Sequence, residues 1–213
     1  MGWVEEYDEW YDTSFGKRAF QKEKKLLETL IPIEKGKVLE VGTGTGRFGE
    51  WLKERGFLVV GMDISYPMLL FTKKEERVKY LVQADAHHLP FKDSAFDMVM
   101  IITSLEFMKE PLQALREVYR VSKGLILLGV LNALSLIGIV RRIKSKWRKS
   151  WYSGVPFYNI WRLKKLFYRA AEGDKVKVQN IIWRTTLYPR FFPSTSILPL
   201  GGFIGVRVVL RKE

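Results

Sequence analysis

The residue types that could do chemistry gather around one glycine loop and three carboxylates. At residues 42–46 the chain reads Gly42-Thr43-Gly44-Thr45-Gly46, directly after the apolar run VLEVG at 38–42. Glycines there allow a tight turn and let the backbone approach a ligand closely. Gly44, Gly46 and Gly49 also fit G-x-G-x-x-G, the spacing of a dinucleotide turn, so a Rossmann-type reductase is one reading. Three acids favour another. Glu40 lies two residues before Gly42, where a carboxylate would repel a pyrophosphate but can face the positive end of a methionine moiety. Asp63 ends the next apolar run and can accept both hydroxyls of a ribose. Asp85, in Gln83-Ala84-Asp85-Ala86, can accept from an adenine amino group. Each acid alone is equally a loop cap or a solvated side chain. Together, at three successive strand ends beside a glycine loop, they describe a site for S-adenosylmethionine.

Methyl transfer from that cofactor is an in-line displacement, with the protein supplying orientation and electrostatics. A general base is needed only if the acceptor must lose a proton. The candidates are Tyr11, His87, His88 and Glu106. Their ordinary readings are a packed aromatic, a pair of surface-loop histidines and a helix-start cap. Cysteine is absent, which excludes disulfides, Cys-ligated zinc, iron–sulfur clusters and covalent methylation at a pyrimidine C5. Two adjacent histidines exclude a multi-histidine metal site, and no metal is expected. Thr103-Ser104-Leu105-Glu106 lacks the Asn/Asp-Pro-Pro-aromatic signature of adenine or glutamine N-methylation.

The elements that must position these residues alternate. Short apolar runs at 38–42, 57–63, 78–84, 96–102 and 125–131 read as strands. Helical spacing is found at 17–30, 47–55, 67–74 and 112–121. Strands alternating with helices imply βαβ units and a parallel sheet. The pattern changes after residue 131. Residues 133–147 and 158–171 read as basic helices, and β-rich runs at 175–187 and 203–211 end the chain. The expected fold is a Rossmann-like, doubly wound α/β sheet of seven mostly parallel strands. Its C-terminal strand is antiparallel, and a helical lid follows the fifth strand.

Of 213 residues, 47% are apolar and 28% charged, an ordinary globular composition. The net charge of +13 is confined to one end. Residues 1–131 hold 19 basic and 20 acidic side chains, while residues 132–213 hold 17 basic and only Glu172, Asp174 and Glu213. Such asymmetry suits an anionic partner, RNA or a membrane surface, met through residues 141–165, where aromatics interleave with Lys and Arg. A hydrophobic lid with a solvated basic back fits the same composition. Few Asn and Gln, no Cys and many charges hint at a thermophilic source. The acidic, aromatic N-terminus does not read as a signal peptide. The uncharged stretch at 124–140 is at the lower limit of a membrane span, and reads better as a buried strand followed by an amphipathic helix. A cytoplasmic protein, at most peripheral to a membrane, is expected.

VLEVGTGTGRF, GMDIS, QADAHHLPF, FDMVMIITSLEFM and PLQALREVYRVSKG resemble, in order, the motifs of class I S-adenosylmethionine-dependent methyltransferases. The resemblance covers residues 35–131. It is strongest to the subgroup with the ubiquinone and menaquinone C-methyltransferases and many small-molecule enzymes. It implies cofactor contacts at Glu40, Gly42, Thr43, Gly44, Gly46, Asp63, Ile64, Asp85, Ala86, Thr103 and Ser104, and a Tyr11 that closes over the cofactor. It implies one methyltransferase domain over 1–213: a helical cap (1–34), a cofactor core (35–131), a basic aromatic lid (132–173) and a C-terminal hairpin (174–213). The usual proline before Gly124 is replaced by Ser122-Lys123, and the C-terminal third matches no pattern of the family. The resemblance implies transfer to a small-molecule acceptor. An acceptor that is RNA or lipid-like, or a cofactor-binding interaction protein without catalysis, is the alternative.

Overall fold

The computed structural model describes residues 2–135, 156–173, 176–188 and 195–212. Five parallel strands come first: β1 (Lys37–Val41), β2 (Leu58–Asp63), β3 (Tyr80–Gln83), β4 (Met98–Ile102) and β5 (Leu125–Leu131). Then follow β6 (Val176–Thr186), the two-residue β7 (Thr195–Ser196) and β8 (Phe203–Lys212). They form one sheet in the order β3-β2-β1-β4-β5-β8-β6-β7. The seven expected strands are all there, and β7 is a short addition at the edge. β8 runs antiparallel to β5 and to β6. All five residues of β4 are buried, as a strand covered on both faces must be.

Six helices flank this sheet among the described residues: α1 (Trp3–Glu9), α2 (Ser14–Glu28), α3 (Arg47–Glu54), α4 (Tyr66–Lys74), α5 (Pro111–Val121) and α6 (Ile160–Ala171). Thr13 caps α2 by accepting from the Gly16 N–H, and Asn159 caps α6 by accepting from the Arg162 N–H. Side chains alternate across each strand, so β1 sends Leu39 and Val41 into the core under α5 and α6. Val38 goes the other way, into the core with α2 and α3, and Glu40 shares its face. The sheet grows from β1 toward β3 on one side and from β4 toward β7 on the other. The crevice at that reversal is where ligands bind in such sheets.

The uncharged stretch begins as a strand, since Leu125–Leu131 is β5. Among the described residues no helix is long and apolar enough to cross a membrane. Residues 136–155 of the expected lid, with the basic residues 141–149, lie outside the described residues, while its second helix is α6.

Candidate cofactor and active site

The glycine loop leaves the end of β1 at the reversal point. Gly42 and Thr43 both donate their N–H to the Met62 carbonyl, at 2.8 and 2.9 Å, folding the chain back over β2. Gly42 and Gly44 have φ of +74° and +54°, the left-handed region that glycine enters freely. A Cβ on Gly42 would stand 2.4 Å from the Ser104 Cβ, whereas one on Gly44 would meet nothing within 4 Å among the described residues. Ser104 is pinned from the β4 side by its hydroxyl, which donates to the Val41 carbonyl at 2.9 Å. The Thr72 hydroxyl holds the Gly44 carbonyl at 2.8 Å. Gly44 thus presents a bare backbone to open space, held from behind.

Glu40 lies under this loop and is 2% exposed. Its Oε2 accepts from the Thr43 hydroxyl at 2.6 Å, and the Gly49 backbone bonds to it as well. A Cβ on Gly49 would stand 2.6 Å from that same oxygen, so the glycine makes room for the carboxylate. Burial pushes the Glu40 carboxyl up to about 8, aided by the nearby Asp63 charge. A buried carboxylate with this environment favours a cationic partner.

Asp63 closes the loop from the β2 side. Its Oδ2 accepts the Gly44 N–H at 2.8 Å and its Oδ1 the Ser65 N–H at 2.9 Å. Burial raises its carboxyl above the usual range, against backbone N–H bonds from Ser65, Gly44 and Ile64. A carboxylate offers about four acceptor sites, so room for a ligand remains.

Tyr11, Glu40, Gly42, Thr43, Gly44 and Thr103 line one cavity, together with Tyr7, Thr45, Arg47, Phe48 and Ile102. Thr103 holds φ +47°, uncommon for a threonine, while its N–H donates to the Gly129 carbonyl at 2.7 Å. Tyr11 packs edge-on against Trp10 and Phe20, beneath the Arg47 guanidinium.

The other expected residues stand outside this lining. Gly46 precedes α3 as its N-cap, Ile64 is exposed, and Ala86 packs into the hydrophobic core. Asp85 is exposed and bonds to His87 through both the backbone N–H and Nδ1. The His87 backbone bond leads in holding its carboxyl below the usual range. His87 Nε2 accepts the Glu110 N–H at 3.2 Å, so both ring nitrogens are engaged. His88 is exposed. Among the described residues no cluster of His, Asp or Glu could hold a metal ion.

Glu106 follows β4 in a short 3-10 turn and is buried. Its Oε1 accepts the Leu131 N–H at 2.7 Å, while Oε2 has no partner among the described residues. Burial pushes its carboxyl from 4.5 up to about 7. A carboxyl that holds its proton more tightly folded than unfolded stabilises the fold fully at low pH, and that contribution is lost as pH rises through about 7. The melting temperature should therefore fall from about pH 5 to about pH 8. Glu106→Gln keeps an acceptor for Leu131 and cannot ionise. It should melt above the parent at the alkaline end and lose part of the slope. Superimposable pH profiles would show that the carboxyl is not held in this way.

Tyr7, Asp8, Arg47 and Arg77 escaped the sequence reading. The spacing of Trp3, Tyr7 and Tyr11 is a helical signal for Tyr7. No local signal marks Asp8, whose partners lie 39 and 69 residues away.

Residues 39–127 match the Methyltransferase domain family. An uncharacterized protein of Methanocaldococcus jannaschii is 32% identical over 194 residues, covering 84% of this chain and 90% of that one. The demethylmenaquinone methyltransferase of Thermotoga maritima is 31% identical over 141 residues, which cover 63% of this chain but only 59% of that enzyme. A crystal structure of a Thermotoga maritima S-adenosylmethionine-dependent methyltransferase, a possible histamine N-methyltransferase, superposes with a TM-score of 0.80 at 27% identity. It covers 97% of this chain and 95% of the other.

Proposed function

The chain belongs to the class I S-adenosylmethionine-dependent methyltransferases, and we propose that it transfers the methyl group of that cofactor to a small-molecule acceptor. Glu40 carries the reading of the site. A buried carboxylate in the cavity wall, beside bare glycine backbone, suits the ammonium of a methionine moiety and disfavours a phosphate. In this reading Glu40 and the loop backbone hold the methionine part, Asp63 the ribose hydroxyls, and Ile64, Asp85 and Ala86 the adenine. Thr103 and Ser104 form the side toward the acceptor, and Tyr11 excludes water from above. When bound, the cofactor supplies a methyl group on a positively charged sulfur. The chain orients the reacting groups and dries the site.

The candidate bases bear on the acceptor. His87 is engaged at both nitrogens, and Glu106 is buried away from the cavity lining. Tyr11 lines the cavity but shares a hydrogen bond with Tyr7. This favours an acceptor that attacks without first losing a proton, such as a neutral amine. The structural relative matched almost end to end, a possible histamine N-methyltransferase, supports the same class. The surplus of basic residues after position 131 supports a second reading, an acceptor presented on an anionic surface.

Calorimetry tests the site. Near neutral pH an apo Glu40 pushed up to about 8 is largely protonated and must ionise to meet an ammonium. S-adenosylmethionine binding should release a proton, seen as a heat that depends on the buffer, and tighten from about pH 6 to about pH 7.5. Glu40→Gln should abolish the release and weaken binding. Binding without proton release would remove Glu40 from this role. Formation of S-adenosylhomocysteine with small amines, phenols, anionic vesicles and RNA then separates the acceptor classes.

A further inference from the structure

The wall of the cavity opposite the glycine loop comes from α1 and the 3-10 turn after it, through Tyr7 and Tyr11. This segment has little apolar anchorage of its own. Val4 and Tyr11 are its buried apolar side chains, while Trp3 and Trp10 are exposed. A single carboxylate stands at its centre. Asp8 is 5% exposed and receives two arginine forks. Arg47 gives Nε to Oδ1 at 2.8 Å and Nη2 to Oδ2 at 2.7 Å. Arg77 gives Nη1 to Oδ1 at 2.7 Å and Nη2 to Oδ2 at 2.9 Å. Planar guanidinium forks match a carboxylate in geometry and charge, so these are among the stronger hydrogen bonds a protein makes.

The far ends of the two arginines give the cluster its direction. Arg77 Nη1 also donates to the Thr45 carbonyl, in the glycine loop, at 2.9 Å. Arg47 is the first residue of α3, and its Nη2 also reaches Asp12 at 2.8 Å. One carboxylate therefore ties α1 to the glycine loop and to the helix that starts from it. The tyrosines that line the cavity lie one residue before Asp8 and three after it. Burial alone would raise the Asp8 carboxyl, but the two arginines outweigh it and hold the group well below the usual carboxylate range. Without that charge, among the described residues, Arg47 would keep only the exposed Asp12 as an anionic partner, and the buried Arg77 only the Thr45 carbonyl and Glu50 at 3.6 Å. The two guanidiniums would repel across the gap, which loosens α1.

We propose that Asp8, gripped by Arg47 and Arg77, is a positioning residue that seats the Tyr7–Tyr11 wall on the cofactor cavity and thereby sets the residence time of the cofactor. This rests on the cofactor reading above. Departure of the cofactor requires the wall to lift, so a weaker grip acts on the off-rate before the on-rate.

Stopped-flow fluorescence with S-adenosylhomocysteine as the probe measures this directly. Asp8→Asn should speed dissociation at least about tenfold, the order expected when a buried ion pair is broken, with the association rate little changed. Amide exchange of residues 2–12 in the ligand-bound protein should rise in parallel. A residue acting through Tyr11 must be non-additive with it, so Asp8→Asn/Tyr11→Ala should dissociate no faster than Tyr11→Ala alone. If Asp8→Asn fails to fold, Asp12→Asn removes only the exposed outer partner of Arg47 and should speed dissociation about twofold. Unchanged rates in the folded variants, or multiplying effects in the double variant, would overturn the proposal with cofactor binding intact. Failure of the parent protein to bind the probe would overturn the cofactor reading, and this proposal with it.

Discussion

Asp63→Asn is expected to lower affinity for S-adenosylmethionine at least about a hundredfold while the protein remains folded. In the proposed site the carboxylate accepts two ribose hydroxyls. Hydrogen bonds to a charged group contribute roughly 1.5–3 kcal/mol each, and ~1.4 kcal/mol is a factor of ten, so two exceed a hundredfold even at the low end. The amide keeps the shape but carries no charge, and one of its two arms donates instead of accepting. The same carboxylate already fixes the loop through the Gly44 N–H and the Ser65 N–H. The amide can keep only one of those bonds. Loss of the other adds to the binding defect by loosening Gly44, and it lowers the melting temperature by a few degrees. Calorimetry and thermal melts of the variant separate the two effects. An affinity within about threefold of the parent would remove Asp63 from the ribose site.

The periodicity that marked strands and helices in the sequence comes from burial, and burial decided their placement. β4 reads MVMII and is buried throughout, and β1 alternates so that Glu40 must share the face of Val38. The glycine loop was legible because turns at positive φ leave few residue choices. Gly49 was visible only as part of that spacing, and its role as space for Glu40 emerges from the structure. The N-terminal wall of the cavity was not legible in the same way. Asp8 meets Arg77 across 69 positions of sequence, a contact created by how the sheet brings the loop after α4 to the N-terminus. No local propensity or period records such a pair. The partner of Asp85 was in plain view two residues away, yet a carboxylate beside two histidines says nothing about which ring it will hold. The bond between the Thr43 hydroxyl and Glu40 was hidden for a related reason, since a loop threonine is ordinary until its neighbour is known to be buried.

The two glycines of the loop give the sharpest contrast. Gly42 and Gly44 both hold positive φ, so alanine at either carries a backbone penalty of about 1–2 kcal/mol. They differ in what the new Cβ meets. At Gly42 it would stand 2.4 Å from the Ser104 Cβ and 2.6 Å from the hydroxyl that donates to Val41. Something in the junction of β1 and β4 must then move, adding about 1–3 kcal/mol as overpacking does. At Gly44 the Cβ enters open space. Gly42→Ala should therefore lower the melting temperature by roughly 5–15 °C, and Gly44→Ala by no more than about half as much. The order should reverse when binding is compared at equal folded fraction. A methyl group on Gly44 projects into the volume assigned to the cofactor and should weaken S-adenosylmethionine binding at least about tenfold beyond any effect on stability. Gly44→Ala with parental affinity would mean that the cofactor does not lie against this loop, because none of the described residues occupies the space that the methyl group would fill.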